Sequence, residues 1–545
     1  MNYTILISQL LIFIPIVVSV FIYILNKKFF NYSVYLIQTL VTVGVAWLWK
    51  ACIQEGIIRF TLGGWSNQIG IEFKIDNLSL MFMTMAVMIW WIVIIYAWHQ
   101  KKSDFKFLFF LMFLEGCFFG FAQVNDFFTL FVLIEIITII SSILILYKKD
   151  GISLKAGLYY LLFNSFGMMI YLFGLALLYL KAGTLNMSLV KVYLMQQNYM
   201  LVDYSVIQVS FACFFVSMCI KAALLPVYEW LPRAHTAAPS HISALLSGLL
   251  VKSGIYGLIR ILEIYQIDSV YQMMFYLGFF TAISGILFAI SQKDLKGILA
   301  FHTISQIGLI IMSLASHSDI GTIGAYMHIF NHFLFKSLLF LGAGIIINEY
   351  GVRRVSQIKG IGRAHPVLTL CMLIGIFSIT GAPLFVGFLS KSMIKLSMTS
   401  ELHLNLFRIV SLGTMISFIK FSRIFFGEPL KNKKINKGQL TGVVMLAVLC
   451  IVTFIVQLDI LPSFLSINGM YSNSLKESIY YIEKVSYDNQ YVLEYLAYMG
   501  TAWVMLKLLV KSDSKFWFTI RHFRMKFQDA IVSILLFLVF VLNYL

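Results

Sequence analysis

Apolar runs of membrane-spanning length recur along almost the whole chain, separated by short polar stretches. About 20 apolar residues cross a bilayer as a helix. The pattern predicts sixteen membrane helices, over 4–26, 31–50, 77–98, 107–123, 126–147, 155–181, 205–225, 239–263, 270–291, 295–314, 322–347, 366–398, 403–426, 439–458, 496–511 and 528–545. The run from Tyr3 to Leu25 has no positive segment before it and is longer than a signal-peptide core, so it reads as a retained helix.

The polar stretches test that count. With the N-terminus outside, the odd-numbered connections hold most of the cations, among them Lys27, Lys28, Lys148, Lys149, Arg233, Lys293, Lys296, Arg353, Arg354, Lys431, Lys511, Arg521, Arg524 and Lys526. The even-numbered ones hold only Arg59, Lys74, Lys181, Lys191, Lys476 and Lys484. Cationic connections stay cytoplasmic. A missed or invented helix would invert the bias downstream, so the alternation supports an even count with both termini outside. Three segments interrupt the pattern. Residues 51–76, with Gly63-Gly64-Trp65 and alternating Ile71, Phe73 and Ile75, predict an outer hairpin. Residues 459–495 form a polar outer segment. Residues 511–527 mix cations with Phe516, Trp517, Phe518, Ile520 and Phe523, the make-up of a helix lying on the cytoplasmic membrane surface.

Composition narrows the class. Of 545 residues, 60% are hydrophobic and 12% charged, where a soluble domain carries about 25% charged residues. Too few polar groups exist to coat soluble domains, which excludes a cytosolic enzyme, a disordered chain and a secreted scaffold. Lipid is the solvent that suits this exterior. The net charge of +17 sits in short connections and sets topology, so it does not indicate a nucleic-acid partner. The six cysteines, Cys52, Cys117, Cys213, Cys219, Cys371 and Cys450, form no C-x-x-C pair. No iron–sulfur, zinc or haem-attachment pattern exists, so the sequence predicts no cofactor or metal and no redox centre of its own.

Candidate chemistry lies in the few charges inside apolar runs, each costing about 2.5–3.5 kcal/mol or more at mid-membrane. These are Glu115, Glu135, Lys221, Lys252, Lys336 and Lys391, with His328 and His332 one and two turns from Lys336. Lys221 stands five residues before Pro226, and Lys391 eight beyond Pro383. Proline frees backbone carbonyls within a helix, and interrupted helices at matching places in two halves mark repeat-built transporters. Helices four to eight and nine to thirteen would be those halves. A lysine in a dry site holds its proton weakly, and a neighbouring carboxylate strengthens that hold. Several such groups in series form a proton relay. Glu115 also suits a structural hydrogen bond. His241 and His302, near helix ends, suit either capping or an accessory role. His328 and His332 have the i, i+4 spacing that can hold a metal, but no third ligand accompanies them.

The stretch KAALLPVYEWLPRAHTAAPSHISALLSGLLVKSGIYGLIR (221–260) resembles the signature of antiporter-like membrane subunits shared by respiratory complex I, Mrp cation/proton antiporters and membrane-bound hydrogenases. LAFHTISQIGLI (299–310), HIFNHFLFKSLLFLGAG (328–344) and GAPLFVGFLSK (381–391) match the same family in the same order. The resemblance covers roughly residues 77–426 most closely.

The resemblance implies an all-α membrane protein with fourteen core helices, two inverted five-helix repeats, broken helices seven and twelve, and here about two further C-terminal helices. The corresponding division is 1–106, 107–263, 270–426 and 427–545. It implies a relay of Glu135, Lys221, Lys252, His328, His332, Lys336 and Lys391, moving H⁺ or exchanging H⁺ for Na⁺ beside other membrane subunits of a complex I-like, Mrp-like or hydrogenase-like assembly. The implied location is a bacterial or archaeal cytoplasmic membrane. The hydrogenase- and Mrp-type branches fit better than the distal subunit of complex I. That subunit carries a long lateral helix, whereas residues 511–527 make about 25 Å of helix. His302 also departs from the small hydroxyl residue common in relatives. Two alternatives stay open: a proton-driven partner of a cytoplasmic inorganic-carbon uptake protein, and a non-conducting structural subunit.

Overall fold

The computed structural model describes residues 2–25, 32–101, 104–196, 204–428, 434–468, 488–509 and 514–545, with six isolated positions between 476 and 484. Lys27, Lys28, Lys431 and Lys511, used above for topology, lie outside these residues.

The helices are α1 (Asn2–Leu25), α2 (Ser33–Glu55), α3 (Asn77–Lys101), α4 (Phe105–Gln123), α5 (Phe127–Ile145), α6 (Gly151–Ala182), α7a (Tyr204–Lys221), α7b (Trp230–Ala237), α8 (Ser240–Tyr265), α9 (Ser269–Ser291), α10 (Leu295–Leu314), α11 (Asp319–Tyr350), α12a (Pro366–Thr380), α12b (Val386–Leu396), α13 (Glu401–Ser422), α14 (Lys437–Ser466), α15 (Asn489–Leu509) and α16 (Phe527–Tyr544). Among the described residues, thirteen helices are long and apolar enough to cross a membrane, so the chain is an integral membrane protein. The seventh and twelfth helices fall short of that length because each is split, and α15 is outside the thirteen.

Helix starts follow local chemistry. Asp104, Asp126, Asp294 and Ser318 each accept a backbone N–H three residues on, at Phe107, Thr129, Gly297 and Gly321. Such caps satisfy donors that the first turn leaves orphaned.

Contacts between connections sort them onto two faces. On one, the Tyr147 hydroxyl donates to Asp104, Arg353 pairs with Asp294 at 2.7 Å, Gly360 N–H reaches Phe426 O, and Arg521 Nε reaches Ser291 O at 2.6 Å. These are all odd-numbered connections, and they form the basic face. On the other, Asn186 Nδ2 donates to Glu72 at 2.6 Å, Arg260 pairs with Asp76 at 2.6 Å, and the Tyr271 and His317 rings stack with centroids 3.9 Å apart. This face carries the hairpin β1 (Ile58–Thr61) and β2 (Glu72–Ile75), paired antiparallel with Ile58 opposite Ile75.

Several boundaries differ from expectation. α2 continues to Glu55, so the hairpin begins later than residue 51; Phe73 and Ile75 are buried, but Ile71 is 37% exposed and outside the strand. α14 runs through Pro462 to Ser466, taking in the start of the segment expected to be a loop from 459. α15 begins at Asn489, seven residues before the expected 496. Among the described residues of 511–526, Lys515–His522 is helical, about 12 Å at 1.5 Å per residue. Trp517 is buried against the fold and Arg521 caps α9, while Phe516 and Phe518 are exposed. The last two helices dock at different places. α15 packs on α13, and α16 on α7a and α6.

Candidate functional site

The two split helices hold the site. α7a ends at Lys221, and Ala223 (φ +56°) turns the chain out of the helix. Ala223 N–H bonds Ile220 O and Leu224 N–H bonds Cys219 O, while Leu225 N–H leaves the helix for Thr281 Oγ1 on α9. Pro226, which has no N–H to return, keeps the break open until α7b starts at Trp230. α12a ends at Thr380, where Gly381 (φ +80°) and Leu384 (φ +67°) flank Ala382-Pro383 before α12b. α7a begins on the hairpin face and α12a on the basic face, so the Lys221 break lies toward the basic face and the Lys391 segment toward the hairpin face. A further correspondence joins the halves: the membrane-spanning helix before each split helix, α6 and α11, has 32 residues.

At the first break, the Lys221 ammonium donates to Thr138 Oγ1 on α5. Glu135, one turn earlier on α5, accepts from Ser165 Oγ on α6 at 3.0 Å. Lys221 is within electrostatic reach of Glu135, but no direct ion pair between them is present among the described residues. Glu135 is half-buried, although it lies mid-helix, so α5 presents a carboxylate beside its outer surface. Its Oε1 has no protein partner.

The next helix presses directly on this break. A Cβ on Gly254 would lie 2.3 Å from Ala222 N and 2.8 Å from Lys221 Cβ, so only glycine admits the approach. Two residues earlier on α8, Lys252 is fully buried and donates to Ser247 O. That carbonyl lies in a π-turn over Leu246–Leu250, an irregularity that frees backbone groups and recurs at functional sites.

α11 continues the series. His332 and Lys336 are fully buried; Lys336 Nζ donates to Leu299 O on α10 at 2.7 Å. His328 bridges Gln306 Oε1 (3.1 Å, α10) and Ser390 Oγ (2.9 Å, α12b). It is within electrostatic reach of both Lys252 and Lys391. Lys391 Nζ donates to Ile379 O at 2.8 Å, meeting a carbonyl exposed by the second break. Both ring nitrogens of His332, and Ser305 Oγ, Gln306 Nε2 and Asn331 Oδ1, are buried without a protein partner. A buried polar group left unpaired costs about 1–3 kcal/mol, so this lane is built for hydration.

The remaining expected residues sit apart. Glu115 is fully buried in α4, and neither carboxyl oxygen has a protein hydrogen bond. Its carboxyl lies near Gln38 of α2. His241 packs edge-on to Phe107 and near Tyr96, also away from the lysines. His302 on α10 hydrogen-bonds Ser417 on α13 and is within reach of Lys336 and Lys391, beside the lane.

Three groups escaped the sequence reading. His235 is fully buried with both nitrogens unpartnered, and senses Lys336, Lys296 and Lys252 together. Lys296, counted above among connection cations, is 2% exposed and donates to Ala238 O at 2.9 Å. Arg260 holds Asp76 with two nitrogens at 2.6 and 2.8 Å, joined by Lys74 at 2.8 Å. Arg260 closes the 221–260 motif, so a signal for it was present. His235, in the last turn of α7b, and Lys296, in the first turn of α10, stand near helix ends, where pattern alone reads solvent.

Comparison with known proteins agrees with this architecture. Residues 124–418 match the family described as NADH:quinone oxidoreductase/Mrp antiporter, TM. A Na(+)/H(+) antiporter subunit of Alkalihalophilus pseudofirmus is 31% identical over 418 residues, 74% of this chain and 84% of that protein. The putative antiporter subunit mnhD2 of Staphylococcus aureus is 31% identical over 395 residues, 69% of this chain and 78% of that one. A chain in the Mrp complex of Dietzia sp. DQ12-45-1b superposes with TM-score 0.79 at 20% identity, covering 87% of this chain and 98% of that one. A chain of the archaeal membrane-bound sulfane sulfur reductase gives 0.76 at 24% identity, covering 91% and 99%. With more than half its length inside the family match and its fold shared across these complexes, the chain belongs to the NADH:quinone oxidoreductase/Mrp antiporter family of membrane subunits.

Proposed function

We propose that the chain moves protons, or exchanges protons for Na⁺, as one membrane subunit of a larger complex in a bacterial or archaeal cytoplasmic membrane. The basic face is cytoplasmic and both termini are outside. Residues 107–263 and 270–426 act as inverted repeats, one holding each break. Glu135 and Lys221 take up the proton, Lys252 with His328, His332 and Lys336 relays it, and Lys391 releases it.

The observation that carries this reading is the buried set of titratable groups from Lys221 through Lys252, His332, Lys336 and His328 to Lys391, bounded by two breaks displaced toward opposite faces. Movement of charge at Lys221 relative to Glu135 changes how firmly the lysine holds its proton. The ammonium then has two settings, one shared with Thr138 and Glu135, the other toward α8. Beyond Lys391 a cavity of about 160 Å³, walled by Thr380, Lys395, Arg408, Glu494 and Tyr495, leads toward the hairpin face. Half-buried Glu135 favours a neighbouring subunit over α5, since a carboxylate facing lipid at that depth is costly. The relatives named as Na(+)/H(+) antiporter and mnhD2 subunits favour exchange coupled to partner subunits.

The test is proton movement in vesicles holding the assembled complex. Lys221→Ala and Lys391→Ala each abolish it while assembly persists. Transport at the unsubstituted rate in both excludes the relay.

A further inference from the structure

A second polar cavity, of about 490 Å³, opens on the basic face, separate from the lysine lane. Its walls come from both halves of the molecule. α6 gives Ile152 and Lys155, α7b gives Arg233, the connection after α11 gives Arg353, and the C-terminal segment gives Arg521 and Arg524. Only two carboxylates, Glu229 and Asp294, also line it. Five cations against two anions leave an excess of three positive charges.

The cations are held in place. Arg233 pairs with Glu229 at 2.7 Å, lies 4.2 Å from the centroid of the Tyr159 ring, and donates to Met525 O at 2.7 Å. Arg353 is fixed by Asp294 and by Thr236 O at 2.8 Å. Arg521 is anchored on Ser291 O. An ordered basic bowl recognises an anion with several acceptor oxygens, because guanidinium groups match phosphate geometry.

The rim decides what carries the phosphate. Ile152 and Phe523 line the cavity and are 72% and 52% exposed. Beside Lys155, Leu158 and Leu162 form an exposed apolar strip along α6 toward the membrane interior. A soluble phosphate has no use for such a strip, whereas acyl chains lie along it. We propose that this cavity binds the phosphate headgroup of an anionic phospholipid, with its chains against α6. Basic pockets between membrane helices at the headgroup level suit such lipids. The lipid clamps the C-terminal segment onto both halves of the fold.

The test uses the purified full chain in neutral detergent and native mass spectrometry with phosphatidylglycerol, phosphatidylcholine and glycerol 3-phosphate. Lys155→Glu with Arg524→Glu, both exposed positions, weakens phosphatidylglycerol binding by about tenfold or more. Lys359→Glu with Lys515→Glu makes the same charge change on exposed sites outside the cavity and alters it less than about twofold. Equal loss in the two pairs, or phosphatidylcholine held as tightly as phosphatidylglycerol, overturns the proposal. Glycerol 3-phosphate binding as tightly as the lipid overturns its lipid part and assigns the bowl to a soluble phosphate.

Discussion

His328 Nδ1 lies 2.9 Å from Ser390 Oγ, and Ser390 directly precedes Lys391 on α12b. One hydroxyl therefore ties His328 of α11 to α12b, one residue before the lysine that donates to Ile379 O at the second break. On the proposed path, Ser390→Ala removes that link without altering the charge count. Transport in vesicles should fall about tenfold or more, within the range that a lost proton-transfer group produces. Ser390→Thr keeps a hydroxyl and should retain most of the rate.

The Asp76–Arg260 pair fixes α3 to α8 beneath the hairpin. Burial alone would raise the Asp76 carboxyl; Arg260 and Lys74 outweigh it and hold the group well below the usual carboxylate range. A depressed folded value contributes stability that is present above the unfolded value of about 3.9. It is lost as pH falls through the folded value. Asp76→Asn leaves buried Arg260 with only the more exposed Glu263, 3.2 Å away, as its carboxylate partner, at a cost of up to about 3 kcal/mol. Melting of the detergent-solubilised protein should show this deficit unchanged between about pH 5 and 8, and narrowing only in stronger acid.

Gly254 touches the first break where a side chain has no room. Gly254→Leu should force α8 away from Lys221, costing about 1–3 kcal/mol through overpacking and lowering transport. Gly64, where a Cβ would meet nothing within 4 Å, has a positive φ that strains any replacement. Gly151, equally open and without that strain, is the neutral control: Gly151→Ala should leave both readouts near the unsubstituted values.

Tyr495 on α15 shares a 2.7 Å hydrogen bond with Thr380 at the second break. Tyr495→Phe removes the hydroxyl and should lower stability by about 1 kcal/mol. On the proposed release route it should also slow transport more than Phe540→Leu, a change at an exposed position that touches neither break.

What the sequence made legible follows from where each signal comes from. Hydrophobic length located all thirteen helices that are long and apolar enough to cross a membrane among the described residues, because it depends on local composition alone. Pro226 and Pro383 located both breaks, because a missing N–H is a property of one residue. The depth of Lys296 and His235 was not legible. Both stand at helix ends, His235 in the last turn of α7b and Lys296 in the first turn of α10, and burial there is set by tertiary packing. The separation of Glu135 from Lys221, and the docking of α15 and α16 at different places, likewise depend on partners far apart in the chain.

The central claim is that Lys221 and Glu135 act together although Thr138 and Ser165, respectively, occupy their hydrogen bonds. The most direct measurement is proton movement in vesicles containing the assembled complex, for Lys221→Ala, Glu135→Gln and the double variant. The account predicts near-complete loss in each single variant and no further loss in the double, because both serve one step. Wild-type transport in both single variants, with the complex intact, contradicts it.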